Sequence, residues 1–454
     1  MKMTVIGCGH LGATHAASMA SLGHEVLGVD IDEDKVRLLN SGKAWFHEPE
    51  LDPMLEETIA ARRLRFTTDF AEASEFGLVH FIGVATPGRP DGSYDLSQVY
   101  AALSSLVVHL RSSALIVGKS TVPPGTAAAL QEFAGRIARE HGAVEPEVAW
   151  NPEFLREGCA VRDTLQPDRI VVGTAGPAAL ATIRAVYQPQ IDAGVPFLAT
   201  DLPTAELVKG SANAFLAAKI SFANAMADIC AATGGDIAVL AQALGLDARI
   251  GPAFLRAGIG YGGACLPKDV RGLTSFAKSI GAENAVQLLG AVDAVNTARR
   301  DQILDLVRGA IDEIAGKRIA IWGAAFKPGT DDVRDSPGLE LARTLRKLGA
   351  QVTVYDPMAT DNALDASPDL GYAESAGSAV AGADALVVVT SWPEFAAAEP
   401  GDVAAVAASR LVVDACQGID AARWRQANWR VLSLTAAESS RQEGDDPLRS
   451  PSRR

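Results

Sequence analysis

Basic residues are in the minority, 41 lysines and arginines against 55 aspartates and glutamates in 454 residues, for a net charge of -14. That balance excludes binding to nucleic acid or to an anionic membrane through a general positive field, which needs clustered cations. An anionic ligand has to be held by local groups instead. Cysteine is scarce too: five residues, Cys8, Cys159, Cys230, Cys265 and Cys416, scattered along the chain. An odd, dispersed set is no disulfide framework and suits a reducing compartment. No apolar run reaches membrane-spanning length, so no membrane partner is expected. Met3-Thr-Val-Ile6 already reads as a strand, so no signal peptide is expected either, and the location expected is the cytoplasm. No metal site is expected.

What is present describes a globular protein: 48% hydrophobic and 21% charged residues, in a chain long enough for two or three domains. The run Met3 to Ile6 ends in Gly7-Cys-Gly-His-Leu-Gly12, a helical pattern follows through Leu22, and a second strand, Glu25-Val-Leu-Gly-Val-Asp30, ends on an acid. This strand, Gly-x-Gly-x-x-Gly, helix, strand, acid order is the dinucleotide fingerprint in its required context. The glycines make the tight turn, the helix start offers free N–H groups to a pyrophosphate, and Asp30 is placed to accept from a ribose 2′-hydroxyl. An acid there repels a 2′-phosphate, so NAD is expected rather than NADP. The parallel-sheet rhythm continues through residues 77–84, leading to Ala85-Thr-Pro87, through residues 114–121, ending at Thr121, and through Glu147-Val-Ala-Trp-Asn-Pro-Glu153. Thr121 is either a ligand group at the carboxyl edge or a cap before Pro123-Pro124. Glu153, with Glu157 one helical turn on, is either a general base or a first-turn helix charge.

From Leu202 to Cys230 the pattern is long, alanine-rich and helical. Lys209 and Asn213 stand four apart and share a face, either as an oxyanion-stabilising pair or as an exposed helix surface. Arg249 and Arg256 are natural phosphate ligands. They lead into Gly258-Ile-Gly-Tyr-Gly-Gly-Ala-Cys-Leu-Pro-Lys-Asp269. Cys265 follows three glycines and precedes Lys268 and Asp269, so its thiol is either activated by the lysine as a nucleophile or a plain buried cysteine in a glycine-rich turn.

A further helix is expected at about 285–310. A second βαβ unit then starts at Lys317-Arg-Ile-Ala-Ile-Trp-Gly323 and closes at Gln351-Val-Thr-Val-Tyr-Asp356, with later strands at 385–390 and 410–414. Only Gly323 remains of the glycine pattern, so this half should hold a nucleotide differently. The fold expected is α/β, with two Rossmann-like doubly wound domains joined by a central helical domain with a long helix. The expected boundaries are 1–200, 201–300 and 301–436, with a disordered polar tail at 437–454.

These features together resemble nucleotide-sugar 6-dehydrogenases of the UDP-glucose/GDP-mannose dehydrogenase family through about residue 430. The resemblance rests on Gly7-x-Gly-x-x-Gly12, Lys119-Ser-Thr-Val-Pro123, Asn151-Pro-Glu-Phe-Leu-x-Glu-Gly158, Lys209-x-x-x-Asn213, Lys219-Ile-Ser221 and Gly262-Gly-x-Cys-x-Pro-Lys-Asp269. Phe326-Lys327 and Thr330-Asp-Asp-Val-Arg-Asp-Ser336 complete it. Asp247-Ala-Arg-Ile-Gly-Pro252 resembles the family's UDP-glucose branch at this point.

The resemblance implies a four-electron oxidation of a UDP-sugar at C6 by two NAD+, with Cys265 forming a thiohemiacetal and then a thioester. Lys209 and Asn213 would stabilise oxyanions, Asp269 would help with protons and water, and Glu153 would be the base in hydrolysis, with Thr121 positioning the water. NAD would be held by Gly7, Gly9, His10, Leu11, Gly12, Asp30, Lys35, Thr86, Ser120, Thr121, Glu157, Lys268 and Arg334. The UDP-sugar would meet Glu153, Phe154, Leu155, Lys209, Asn213, Phe254, Leu255, Arg256, Gly260, Tyr261, Gly262 and Lys327. Arg249 would cross a homodimer to the neighbouring subunit's site.

The chain departs from the family pattern at Ala264, where many members carry Ser. It departs at Asp414-Ala-Cys-Gln417, in place of Asp-x-Arg-Asn, and after Trp429. Three rival readings are the same chemistry on GDP-mannose or an N-acetylated UDP-sugar, a β-hydroxyacid dehydrogenase, and a silent NAD-binding sensor. Cys265 and the second nucleotide-type half argue against the β-hydroxyacid dehydrogenase. The intact acid, lysine and cysteine argue against the sensor.

Overall fold

Short apolar runs become strands here because helices cover both faces of the central part of each sheet. In the computed structural model, which describes residues 1–434, eight of them form the first sheet. They are β1 (Lys2–Ile6), β2 (Glu25–Val29), β3 (Leu64–Thr67), β4 (Val79–Ile82), β5 (Leu115–Gly118), β6 (Glu147–Trp150), β7 (Ile170–Gly173) and β8 (Phe197–Thr200). Their spatial order is β3-β2-β1-β4-β5-β6-β7-β8. A second sheet holds β9 (Arg318–Trp322), β10 (Gln351–Tyr355), β11 (Gly371–Tyr372), β12 (Ala385–Val388), β13 (Leu411–Asp414) and β14 (Arg430–Leu432), in the order β11-β10-β9-β12-β13-β14. Both sheets reverse their winding beside the first strand, between β1 and β4 and between β9 and β12. In doubly wound sheets that is where a crevice opens at the carboxyl edge. The tail expected at 437–454 lies outside the described residues.

One strand junction departs from the parallel rhythm. β7 pairs with β6 antiparallel, at Trp150 opposite Gly173, whereas every other pairing in both sheets is parallel. The link between them is a loop and one six-residue helix, Ala160–Leu165, which turns the chain back instead of carrying it across the sheet.

Between the sheets runs a 32-residue helix, Leu202–Thr233, capped at its start by the Asp201 carboxylate accepting from the Thr204 N–H at 2.8 Å and ended by Gly234 at φ 77°. It is long and apolar enough to cross a membrane by length and composition. It instead packs against helices Leu266–Ser279 and Glu283–Ala310. Polar side chains of the last helix hold the glycine-rich loop: Asn296 pairs with both the N–H (2.7 Å) and the carbonyl (3.0 Å) of Tyr261, and Arg299 donates to the Gly258 carbonyl at 3.1 Å.

Candidate active site

The first turn is built for a dinucleotide. A Cβ on Gly12 would stand 1.8 Å from the Gly7 carbonyl, so the helix can approach the strand only with glycine there. A Cβ on Gly9 would meet nothing within 4 Å, so that face of the turn is open to a ligand. Helix His10–Ser21 begins without a side-chain cap, leaving its first N–H groups free for phosphate. Asp30 is oriented by the Cys8 N–H (2.7 Å) and the Asp32 N–H (3.1 Å). Lys35 lies beside it, 3.7 Å from Asp32 and over the Trp45 ring. At the opposite lip, Thr86 donates to the Thr121 carbonyl at 2.8 Å and Ser120 to the Val84 carbonyl at 2.6 Å, tying the loops after β4 and β5 together. These residues fit NAD.

Below that edge, residues far apart in sequence meet. Lys209, buried on the long helix, lies 2.9 Å from the Glu153 carboxylate. Burial alone would depress its pKa, but Glu153, the Cys265 thiol and Asp269 outweigh that and hold it above its ordinary value. Asn213, one turn on, donates to Asp269 at 2.6 Å, and Lys268 bonds the other Asp269 oxygen at 2.7 Å. Asp269 is fully buried, and Tyr94 donates to its carbonyl at 3.4 Å while its ring lies under the Lys268 ammonium. The Lys209–Asn213 face is thus interior, which removes the exposed-surface alternative.

Cys265 caps helix Leu266–Ser279, and its residue surface is open. The residue is thus open to solvent while its sulfur is hemmed in by protein. Burial pushes its thiol up to about 11; Lys209 works against that, while Glu153, Asp269 and Glu157 add to it. The expected activation by the lysine three positions on does not occur, because Lys268 is turned to Asp269. The cation that acts most on the thiol is Lys209, with Arg334 also in its field.

Glu153 and Glu157 lie in the loop before helix Ala160–Leu165, so neither is a first-turn helix charge. The loop is braced locally: Leu155 N–H donates to Glu153 at 2.7 Å, and the Arg169 guanidinium stacks 3.8 Å over the Phe154 ring. Glu157 accepts from Arg334 at 3.1 Å, and Lys327 donates to its carbonyl at 2.6 Å. Burial first and Asp332 second raise the Glu157 carboxyl to about 7, against His10 and Arg334.

Other expected site residues lie further out. Arg256 is exposed and bonds the Gln417 carbonyl, which brings its guanidinium to the Asp414-Ala-Cys-Gln417 segment. Phe254 is exposed at φ 66°, and Leu255 is buried. Tyr261 is buried with its hydroxyl unpartnered, so its side chain faces the interior and only its backbone belongs to the loop. A Cβ on Gly262 would stand 2.3 Å from the Asp335 carbonyl, so the loop lies directly against the second sheet's side of the cleft, while Gly260 abuts Asn296. The Arg249 side chain is 89% exposed and, among the described residues, pairs with its near neighbour Asp247.

Glu48, which no sequence signal marked, is buried and accepts from His10 (2.8 Å), Gly158 N–H (2.8 Å) and Ala160 N–H (2.6 Å), so it ties the glycine turn to the Glu157 loop. Phe46 stacks on His10 beside it. An acid before Pro49 in an aperiodic loop gives no pattern to read.

Residues 1–191 match the NAD-binding domain, 203–298 the central domain and 320–421 the UDP-binding domain of the UDP-glucose/GDP-mannose dehydrogenase family. The chain is 43% identical over 422 residues to a UDP-glucose 6-dehydrogenase of Haloferax volcanii, covering 91% of this chain and 96% of that one. It is 41% identical over 419 residues to one of Rhizobium meliloti, covering 91% and 94%. A UDP-glucose dehydrogenase structure from Pyrobaculum islandicum superposes with a TM-score of 0.88 at 36% identity, covering 96% of this chain and 98% of that one. With three domain matches in order and relatives aligned along nearly their whole length, the chain belongs to the UDP-glucose/GDP-mannose dehydrogenase family, an NAD-dependent oxidoreductase of two Rossmann-like halves around a long central helix.

Proposed function

We propose that the protein oxidises UDP-glucose to UDP-glucuronate through a thioester on Cys265. The observation that carries the chemistry is the convergence of an open thiol with the Lys209–Glu153 and Asn213–Asp269 pairs at one point of the cleft. The sugar is supported by the relatives' own activity and by Asp247-Ala-Arg-Ile-Gly-Pro252.

Bound NAD+ supplies hydride acceptance at C6, twice per sugar. Between those oxidations Cys265 Sγ bonds to the C6 aldehyde and its proton ends on the hydroxyl of the thiohemiacetal. Lys209 and Asn213 leave their carboxylate partners to donate to the C6 oxygen while it carries negative charge. After the second oxidation Glu153 takes a proton from water held by Thr121, the water oxygen bonds to the thioester carbon, and the C–S bond breaks to return the thiol and release the uronate. Asp269 orients Asn213 and Lys268. The balance is UDP-glucose, two NAD+ and water giving UDP-glucuronate, two NADH and three protons.

NAD contacts are assigned to Gly7, Gly9, His10, Leu11, Gly12, Asp30, Lys35, Thr86, Ser120, Glu157, Lys268 and Arg334. UDP-sugar contacts are assigned to residues 153–155 and 254–256, the backbone at 260–262, and Lys327. Phe215, Phe222 and Ile229 lie seven apart on the long helix, 69%, 50% and 54% exposed, an apolar stripe suited to a second copy. A homodimer joined there leaves Arg249 free to reach the partner's site. Five unpaired cysteines suit the cytoplasm.

The test is NADH released per sugar consumed, for wild type and Cys265→Ser. Two NADH per UDP-glucose, with turnover lost in the variant, is expected. A ratio of one, untouched by the substitution, refutes the thioester. The missing arginine in Asp414-Ala-Cys-Gln417 favours a second reading, the same chemistry on another nucleotide sugar. That reading gains if GDP-mannose or UDP-N-acetylmannosamine gives two NADH and UDP-glucose none.

A further inference from the structure

Lys119 lies behind the Glu153 loop, and no role above uses it. Its ammonium is buried, 5% exposed, and no carboxylate among the described residues is within ion-pair distance of it. It donates to Asn151 Oδ1 at 2.9 Å and to the Tyr187 hydroxyl at 3.2 Å, and stands over the rings of Phe81 and Tyr187. Tyr187 in turn donates to Asn151 Oδ1 at 2.6 Å, and Asn151 Nδ2 to the Val171 carbonyl at 2.8 Å, so the lysine is solvated by neutral dipoles that are themselves fixed. Burying an ammonium without a counter-ion costs several kcal/mol, so its presence calls for a reason.

The counter-charge is across a cavity. A pocket of about 50 Å³, room for about one water, is lined by Lys119, Asn151, Glu153, Arg169, Tyr187 and His15. His15, also on the pocket wall, is 2% exposed and its Nε2 has no partner among the described residues. Burial lowers the Lys119 pKa to about 8, and Glu153 opposes that. His15 is held well below its ordinary value by burial and then by Lys119, so it stays neutral. The remaining titratable groups on the pocket wall are Tyr187, raised by burial, with Arg169 and Asp163 further along. Glu153 thus has Lys209 at 2.9 Å on one side and shares this pocket with Lys119 on the other.

We propose that Lys119 is a positioning residue for Glu153, a second cation that holds this carboxylate in place while Lys209 is engaged by the oxyanion at C6. In the resting protein Lys209 is at 2.9 Å and suffices. When Lys209 is drawn to substrate, Glu153 loses that partner at the stage at which it must accept a proton from water, and Lys119 still holds the field. The inference rests on the thioester reaction proposed above.

Lys119→Met tests it, because methionine nearly preserves shape while removing the charge and the hydrogen bonds the ammonium donates to Asn151 and Tyr187; replacing a buried ion by an apolar group of like volume is often neutral or stabilising. The variant should keep its melting midpoint and both KM values within about twofold, lose about tenfold or more in kcat, and show a pre-steady-state burst of NADH before slow hydrolysis. The alkaline limb of wild-type kcat, expected as pH rises through about 8, should vanish. Tyr187→Phe keeps the charge but removes an acceptor, so the same limb should move to lower pH. A folded Lys119→Met with wild-type kcat and no burst overturns the proposal. So does a Lys119→Met that fails to fold together with an unmoved limb in Tyr187→Phe. Absence of UDP-glucose turnover in the wild type would instead strike the reaction assignment, and Lys119 with it.

Discussion

The ligand-free enzyme should keep Cys265 as a thiol at neutral pH. Burial raises it to about 11 from an ordinary value of 9.0, two pKa units, so at any pH well below 9 the thiolate fraction is about a hundredfold smaller than that of an unperturbed cysteine. At pH 8 the fraction comes to about 0.1%. Alkylation by iodoacetamide, followed at the Cys265 peptide by mass spectrometry in a Cys159→Ser background, reads that fraction directly because only the thiolate attacks. The rate constant should still be climbing at pH 10. The surrounding charges fix the signs of the variants. Lys209→Met removes the largest charge that lowers the thiol pKa and should slow alkylation about tenfold at fixed pH; Glu153→Gln removes a group that raises it and should speed it. An inflection near pH 8 or below, or a Lys209→Met protein that alkylates as fast as wild type, would refute the electrostatic account of the cleft. The consequence for function is protective: a thiol held neutral until ligands arrive resists stray oxidation, which requires thiolate.

Gly262→Ala should destabilise by about 1–3 kcal/mol in urea unfolding, since a Cβ 2.3 Å from the Asp335 carbonyl forces the glycine loop off the backbone it rests on; an unchanged midpoint would contradict the packing. Glu157, raised to about 7 from an ordinary 4.5, binds its proton in the folded protein over a range where the unfolded chain has released it. Its contribution to stability is therefore full below about pH 4.5 and lost as pH rises through about 7. The melting midpoint of Glu157→Gln relative to wild type should rise from pH 5 to pH 8, and a pH-independent difference refutes the shift. Phe222→Glu places a charge in the apolar stripe of the long helix and should give a monomer by light scattering; a dimer at equal concentration removes that stripe as the joining surface.

What could be read from the sequence was what is encoded locally. The glycine turn, Asp30 at the end of β2, and the shared face of Lys209 and Asn213 each follow from spacing within one strand, turn or helix. The partners of the charged groups did not, because they are set by tertiary packing. Asn213 finds Asp269 56 positions away and Arg334 finds Glu157 177 positions away. Lys268 shows the limit most plainly. Closeness in sequence to Cys265 suggested activation, but the Tyr94 ring, brought in by the loop after β4, and the adjacent Asp269 carboxylate take its ammonium instead. The antiparallel entry of β7 was hidden for a similar reason, since a strand's direction depends on where its connection returns and its own residues carry no mark of it.

The two halves also explain why only one glycine of the pattern survives after β9. Asp30 accepts two backbone N–H groups and retains capacity to accept from a ribose hydroxyl. Asp356, at the equivalent end of β10, is buried and accepts five: Ala324, Ala325 and the Trp392 indole on one oxygen, Met358 and Ala359 on the other. A carboxylate has about four lone-pair sites, so none is left for a ligand. Gly323 remains because a Cβ there would meet Thr390 at 2.4 Å, which is a demand of packing and makes no reference to phosphate. The second half thus keeps the Rossmann frame and has turned its acid into an internal anchor. It meets the cleft through residues beyond β9, where Lys327 and Arg334 reach across to Glu157 and the Arg334 carbonyl accepts from the Gly263 N–H at 3.0 Å. The two Rossmann-like halves present two edges; the Cys265 thiol lies on neither, but at the end of the loop clasped between them.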